Sequence, residues 1–423
     1  MCLTFKKKMG QKQCHGELNA DINICNMGEC VAKLEGRESN SASPSDIWRL
    51  TLKPGVVGYK GLPIPCAWLK VFVSNPRPDM RKTDGLQYEL RVYRDVVRRL
   101  VESRVCPNFV RYLASAEKCS FADMLRLVET NGVSPKQFRR SLYYMTCPYK
   151  RGKRPVRPPI NDEVTRKERA DIKQWKIEPE KLKFGMLLTQ DRRVVTLHEW
   201  LKNDVSIQDY ACMMFQITAA LRAMELSQFV HNDLHLNNIL VELHDTVTNV
   251  NYVMDGEHFG LCCTFRILIF DFDRAYVKQL GPNTLVDRHE CYPAGFVSGR
   301  DLSSVLSLLF KRSTQEQRVL LQKAFDVKAE SFFKELRGRL TPDFTSFQRG
   351  IRKGTYKLLD GTPANLLNVF VKFDCAPVID SRATMVEAMG VLHKRIKHVC
   401  RSEDADFTFV CNADMFRRNG QLA

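Results

Sequence analysis

The chain has no run approaching the ~18 consecutive apolar residues that a membrane-spanning helix needs, so no span is expected. Nor does an apolar stretch follow the three lysines Lys6, Lys7 and Lys8, which argues against a secretory leader. Regular C-x-x-C pairs are missing. The fifteen cysteines are odd in number and scattered over 423 residues, which speaks against a disulfide framework and for free thiols in a soluble, intracellular protein. Cys14, His15, Cys25 and Cys30 lie near one another, but at the spacing of no standard zinc finger. Internal repeats are absent. Acidic residues are in deficit, 48 against 65 basic ones, for a net charge of +17. Such a surplus attracts anionic partners and governs encounter and solubility, but it names no fold.

What is present suffices for two packed lobes, with 44% hydrophobic residues over this length. Residues 1–45 mix Gly, Asn, Ser, Lys and Cys without sustained periodicity and read as a mobile arm. From Trp48 the pattern turns strand-like. Runs at 48–52 and 66–73 flank a turn holding Gly55, Gly58 and Gly61. Glycines there let backbone N–H groups approach a phosphate, although a plain hairpin turn has the same composition. Lys70 alternates with Trp68 and Phe72, so it projects from the strand face opposite Leu69 and Val71. Glu89 opens a segment in which Tyr93, Val96, Val97 and Leu100 fall at helical spacing.

A long insertion is expected over residues 118–183. Its centre is rich in Pro, Arg and Lys, including Lys150, Arg151, Lys153, Arg154, Arg157, Arg166, Lys167 and Arg169. It reads as a solvated loop or as a docking segment for an acidic or nucleic-acid partner, with no RNA-binding motif beside it. Residues 184–190 return to strand, and a long helix over 207–227 shows Met214, Ile217, Leu221 and Met224 as a core stripe.

That helix delivers a turn, Phe229 to Val241, holding His231, Asp233, His235 and Asn238. Such residues also gather in ordinary turns, where they bond their own backbone. Downstream, an apolar run from Ile267 to Phe270 ends in Asp271, Phe272 and Asp273. The runs 239–243 and 265–270 are expected to pair, with an unusually long excursion over 244–263, on which Asp255 and Glu257 read as surface charges. Pairing would bring Asp233 and Asp271 together despite the gap between them.

The spacing from Asp233 to Asn238 resembles the protein-kinase catalytic loop, and Asp271-Phe272-Asp273 resembles the D-F-G element. From about Ile47 to Phe310 the chain is similar to the protein-kinase superfamily, in a divergent form like the serine/threonine kinases of large DNA viruses and, more distantly, haspin. The resemblance implies an α+β, bilobal fold with a small β-rich N-lobe over 46–191 and a larger α-rich C-lobe over 192–423. It implies ATP and Mg²⁺ as cofactors and a protein substrate. Asp233 would be the catalytic base and Asn238 and Asp271 the metal ligands. Lys70, oriented by Glu89, would bind phosphate, Gly55 and Gly58 would cover it, and the backbone of Leu188, Thr189 and Gln190 would meet the adenine. Asp301, otherwise a helix cap, resembles the buried aspartate that braces the loop, and His231 resembles a structural histidine.

Three departures stand out. Asn232 replaces the arginine that would receive an activation-loop phosphate, Asp273 replaces the D-F-G glycine, and no A-P-E motif is visible. His235 stands where most protein kinases have lysine. The form of the loop also resembles aminoglycoside and choline phosphotransferases. A catalytically inactive scaffold that holds an acidic partner is a further alternative, and the divergence and insertions point to a viral source.

Overall fold

The structure, a computed structural model, describes residues 3–5, 15–16, 31–36, 45–54, 56–57, 65–74, 84–130, 134–146, 166–287, 295–325, 381–397, 399–417 and 420–422. The chain divides into two compact units, one of residues 1–98 and 110–192, the other of residues 99–109 and 193–423.

The first unit is built on a five-stranded antiparallel sheet in the order β3 (Val31–Gly36), β4 (Ser45–Leu52), β6 (Cys66–Val73), β8 (Lys183–Gln190), β7 (Tyr112–Ser120). A smaller sheet joins β1 (Leu3–Phe5), β2 (His15–Gly16) and β5 (Val56–Val57). Strict alternation in β4 and β6 buries Trp48, Leu50, Ala67, Leu69 and Val71 on one face, as a half-covered sheet requires. At the β6–β8 pairing, Phe72 lies opposite Gly185, and a Cβ at that glycine would overlap the ring.

Two expectations are corrected here. Residues 31–36 are not arm but an edge strand, because Val31 and Leu34 find the core. The insertion is not wholly loop. Its described part holds helices Phe121–Thr130, Pro135–Thr146 and Arg166–Gln174. Phe121, Met124, Leu127 and Val128 recur on one face and pack with Phe138, Leu142 and Met145 into the same core as the sheet. The basic residues 150–159 lie outside the described residues, as do Cys14, Cys25 and Cys30.

In the second unit the central helix Ile207–Leu226 starts at Ser206, whose hydroxyl accepts the Asp209 N–H. It is buried almost all round from Tyr210 onward, so the expected stripe is a whole surface. Against it lies a long hairpin, β11 (Ile239–Met254) with β12 (Glu257–Ile269). The expected excursion is therefore a continuation of the ladder, with an irregularity between Leu243 and Thr248. It reverses at Asp255 and Gly256, both at positive φ (49° and 88°), as a tight two-residue turn demands. β9 (Val194–Thr196) and β14 (Phe407–Cys411) pair with β11. Asp255 is corrected as well: its carboxylate meets Arg222, whose side chain is 3% exposed, at 2.5 Å. A buried guanidinium needs such a counter-charge.

Helices Arg300–Arg312, Gln315–Ala324 and Ser381–His393 complete the unit. Residues 326–380 lie outside the described residues. Among the described residues no helix is long and apolar enough to cross a membrane, and eight cysteines are free thiols. The chain is thus mixed α and β, with a five-stranded antiparallel sheet toward the N-terminus and a long hairpin among the helices of the second unit.

Candidate active site

Lys70 leaves β6 on the face opposite Leu69 and Val71, as alternation dictates, and its Nζ meets Glu89 Oε2 at 2.6 Å. Glu89 lies in the helix Asp84–Val92, which starts five residues earlier than the sequence suggests and runs into a π-helical turn, Tyr93–Val97. Such turns recur at functional sites. With side chains 15% and 3% exposed, the pair is nearly dry, so the ammonium is fixed in place by a charge that water screens little.

Gly55 and Gly58 lie outside the described residues. Leu188 and Thr189 stand in β8, between β6 and β7, with cross-strand partners on both sides. The Gln190 N–H donates to the Arg111 carbonyl at 3.0 Å. Backbone groups committed to ladders on both sides are poor partners for a base edge.

The second unit assembles the other set. β11 and β12 are in register with Ile239 opposite Ile269, and the Phe270 N–H donates to the Asn238 carbonyl at 3.2 Å. Asn238 therefore sits across the ladder end from Phe270, with Asp271 the next residue. The Asn238 side-chain N–H donates back to the Asp233 carbonyl at 2.9 Å, which ties the start of the loop to its end. The turn is closed by the His235 N–H on the Asp233 carbonyl (2.9 Å) and the Asn238 N–H on the His235 carbonyl (2.8 Å).

The base of the loop hangs on Asp301. Its carboxylate accepts the N–H groups of His231 (2.6 Å) and Asn232 (3.1 Å), while Gly299 is the helix cap. Burial pushes the Asp301 carboxyl above the ordinary carboxylate value, against the pull of His231, Arg300 and these two N–H bonds. His231 is fully buried with Nε2 on the Phe270 carbonyl at 2.8 Å, so Nε2 carries the proton and the ring is a brace. Phe272, also buried, packs against Phe229, His231 and Phe109. Asp271 is held at φ 69° and Asn232 at φ 66°, the left-handed region that Asn tolerates better than arginine does.

An unforeseen partner stands beside Asp233. Arg274 Nη1 donates to Asp233 Oδ2 at 2.9 Å, and His235 Nε2 lies 3.9 Å from that same oxygen. The only hint in the sequence is an arginine shortly after Asp271 combined with the missing one at 232.

An amide oxygen and a carboxylate are donor types that a hard cation takes. Asn238 has an amide oxygen besides the N–H bonded to Asp233, and Asp271, one residue past Phe270, has a carboxylate. Oxygen donors of this kind, few in number, are how Mg²⁺ is held when phosphates complete the shell. Among the described residues no group of three His, Cys, Asp or Glu side chains could hold a metal.

No protein-family model and no curated protein matches the chain. Among solved structures, the chain is similar to the crystal structure of Rad53 kinase domain and SCD2, at 14% identity over 83% of this chain and 87% of that one, with a TM-score of 0.32. A likeness that loose says nothing about the chemistry of this chain.

Proposed function

We propose that the chain is an ATP-dependent phosphotransferase with a two-lobed, protein-kinase-like fold, acting on protein hydroxyls, serine or threonine in the first place. The observation that carries this reading is the end of the β11–β12 ladder, where Asn238, bonded to Asp233, lies across from Phe270, the residue before Asp271. In the reaction the acceptor hydroxyl oxygen bonds to the γ-phosphorus, the bond to the β–γ bridging oxygen breaks, and ADP leaves with that electron pair. The hydroxyl proton passes to Asp233. Asn238 and Asp271 would hold Mg²⁺, which would supply charge neutralisation to the phosphates. Lys70, held by Glu89, binds phosphate oxygens. Little covalent chemistry falls to the protein, and placement and charge supply most of the acceleration.

The test is a labelled-ATP assay with casein or histone, run beside choline and aminoglycosides, on the wild type and on Asp233→Ala. Label should enter protein, and the variant should lose about 10²–10⁴-fold, the usual worth of a positioned base. Label on a small molecule alone would make the chain a small-molecule phosphotransferase. No transfer to any acceptor would leave a scaffold, whose basic residues 150–169 hold an acidic or nucleic-acid partner.

A further inference from the structure

We infer that Arg274 is the positioning residue for the base, holding Asp233 by Oδ2 so that Oδ1 meets the acceptor hydroxyl; this rests on the phosphotransferase reading above. An arginine touching a carboxylate on a surface is ordinary, and alone it would carry nothing. Here the backbone around it is fastened on every side. The Asn232 side-chain N–H donates to the Arg274 carbonyl at 3.0 Å. Asn283, 0% exposed, donates from one amide nitrogen to the carbonyls on either side of Arg274, those of Asp273 (3.0 Å) and Ala275 (2.8 Å). Its amide oxygen accepts the Leu285 N–H at 3.1 Å, so its polar atoms are all engaged. The next residues form β13 (Tyr276–Val277), which pairs with β10 (Phe229–Val230) immediately before the loop.

Each clamp links the segment after Asp271 to the loop or to itself, and the side chain they jointly aim is a guanidinium at Asp233. A planar fork fixes a carboxylate's orientation as well as its position, which an ammonium cannot do. The loop itself has Asn232 and His235 where the resembled family has arginine and lysine. Arg274 brings back the charge from another segment. Asn232, too short to supply it, anchors its carrier.

The experiment compares wild type, Asp233→Asn, Arg274→Gln, Arg274→Lys and Asn283→Ala. Readouts are kcat and KM for ATP with casein or histone, the affinity for a fluorescent ATP analogue, and the circular-dichroism melt. A misaimed base costs turnover and leaves nucleotide binding alone. Arg274→Gln should lose on the order of 10²-fold in kcat, with analogue affinity and KM for ATP unchanged. Arg274→Lys should recover part of the loss, and Asn283→Ala should fall between them. Arg274→Gln turning over like the wild type would overturn the inference while leaving the phosphotransferase intact. So would a faster Arg274→Gln, which would make Arg274 a plug over the base. A kcat loss matched by a lost melt in Arg274→Gln, with no recovery in Arg274→Lys, would reduce it to a fold-keeping contact. Wild type and Asp233→Asn alike in failing to transfer label or hydrolyse ATP would sink both readings.

Discussion

Lys70 and Glu89 meet at 2.6 Å with side chains 15% and 3% exposed, whereas Arg274 and Asp233 meet at 2.9 Å with side chains 37% and 26% exposed. Each is a cation on a carboxylate at hydrogen-bond distance, yet they are made differently. The first is placed by strand alternation and helix packing, and its charges have little water to fall back on. The second is half wet and is placed by side-chain amides gripping the backbone around it. In the first, removing one partner strands a buried charge. In the second, water replaces much of what is lost, and what goes missing is aim. Stabilisation and positional control thus reside in different pairs.

The comparison breaks most visibly at Lys70. Replacing it by Ala leaves Glu89 buried beside no ammonium, at a cost of about 3–5 kcal/mol, whereas Arg274→Gln should cost at most about 1 kcal/mol. Urea unfolding of both variants measures the contrast. Lys70→Met combined with Glu89→Leu should restore most of the first loss, since two apolar side chains strand no charge. Equal losses at Lys70 and Arg274 would erase the distinction.

Asp301 sharpens it, as a buried carboxylate that grips backbone N–H groups instead of facing a side-chain cation across a hydrogen bond in the way of Glu89 or Asp233. Asp301→Asn turns a donor toward one of the two N–H groups and should cost about 1–3 kcal/mol. The pH dependence has a defined sign. Because burial raises the folded carboxyl above its unfolded value, the folded protein holds a proton that the unfolded chain has released. This contribution is complete below the unfolded value and is lost as pH rises through the folded one. The variant's deficit relative to wild type should therefore shrink across that window, and a gap that widens with pH would refute the assignment.

Legibility followed the same division. The alternation that aims Lys70 is visible in the sequence, as is the helix that ends at the loop, since both follow from apolar periodicity. The pairing of 239–243 with 265–269 is legible for the same reason. Its extension to the turn is not, because His244, Asp245, Asn249 and Asn251 interrupt the apolar run, although Asp255-Gly256 is a two-residue hairpin signal. The edge strand 31–36 offers only Val31 and Leu34 to the core, too little to stand out from a polar arm. The packed helix 121–130 carries its periodicity in plain view, but the basic run after it dominates the composition of the insertion. Arg274 escapes altogether. Its function depends on how far a side chain reaches and on an asparagine nine residues later, and neither has a period.

The smallest expected effect is none at all. A guanidinium is charged at every working pH, and the clamps on Arg274 are neutral amides, so nothing in this bracket waits for a phosphate to complete it. Treating the purified chain with a broad-specificity phosphatase should leave its turnover unchanged, as should Tyr276→Phe and Thr284→Ala in the segment after Arg274. Surface changes of that kind normally stay within about 0.5 kcal/mol. If dephosphorylation instead lowered turnover to the level of Arg274→Gln, the brace would be completed by an added charge, and the contrast between a fixed base and a switched one would have to be drawn again with Asn232 on the switched side.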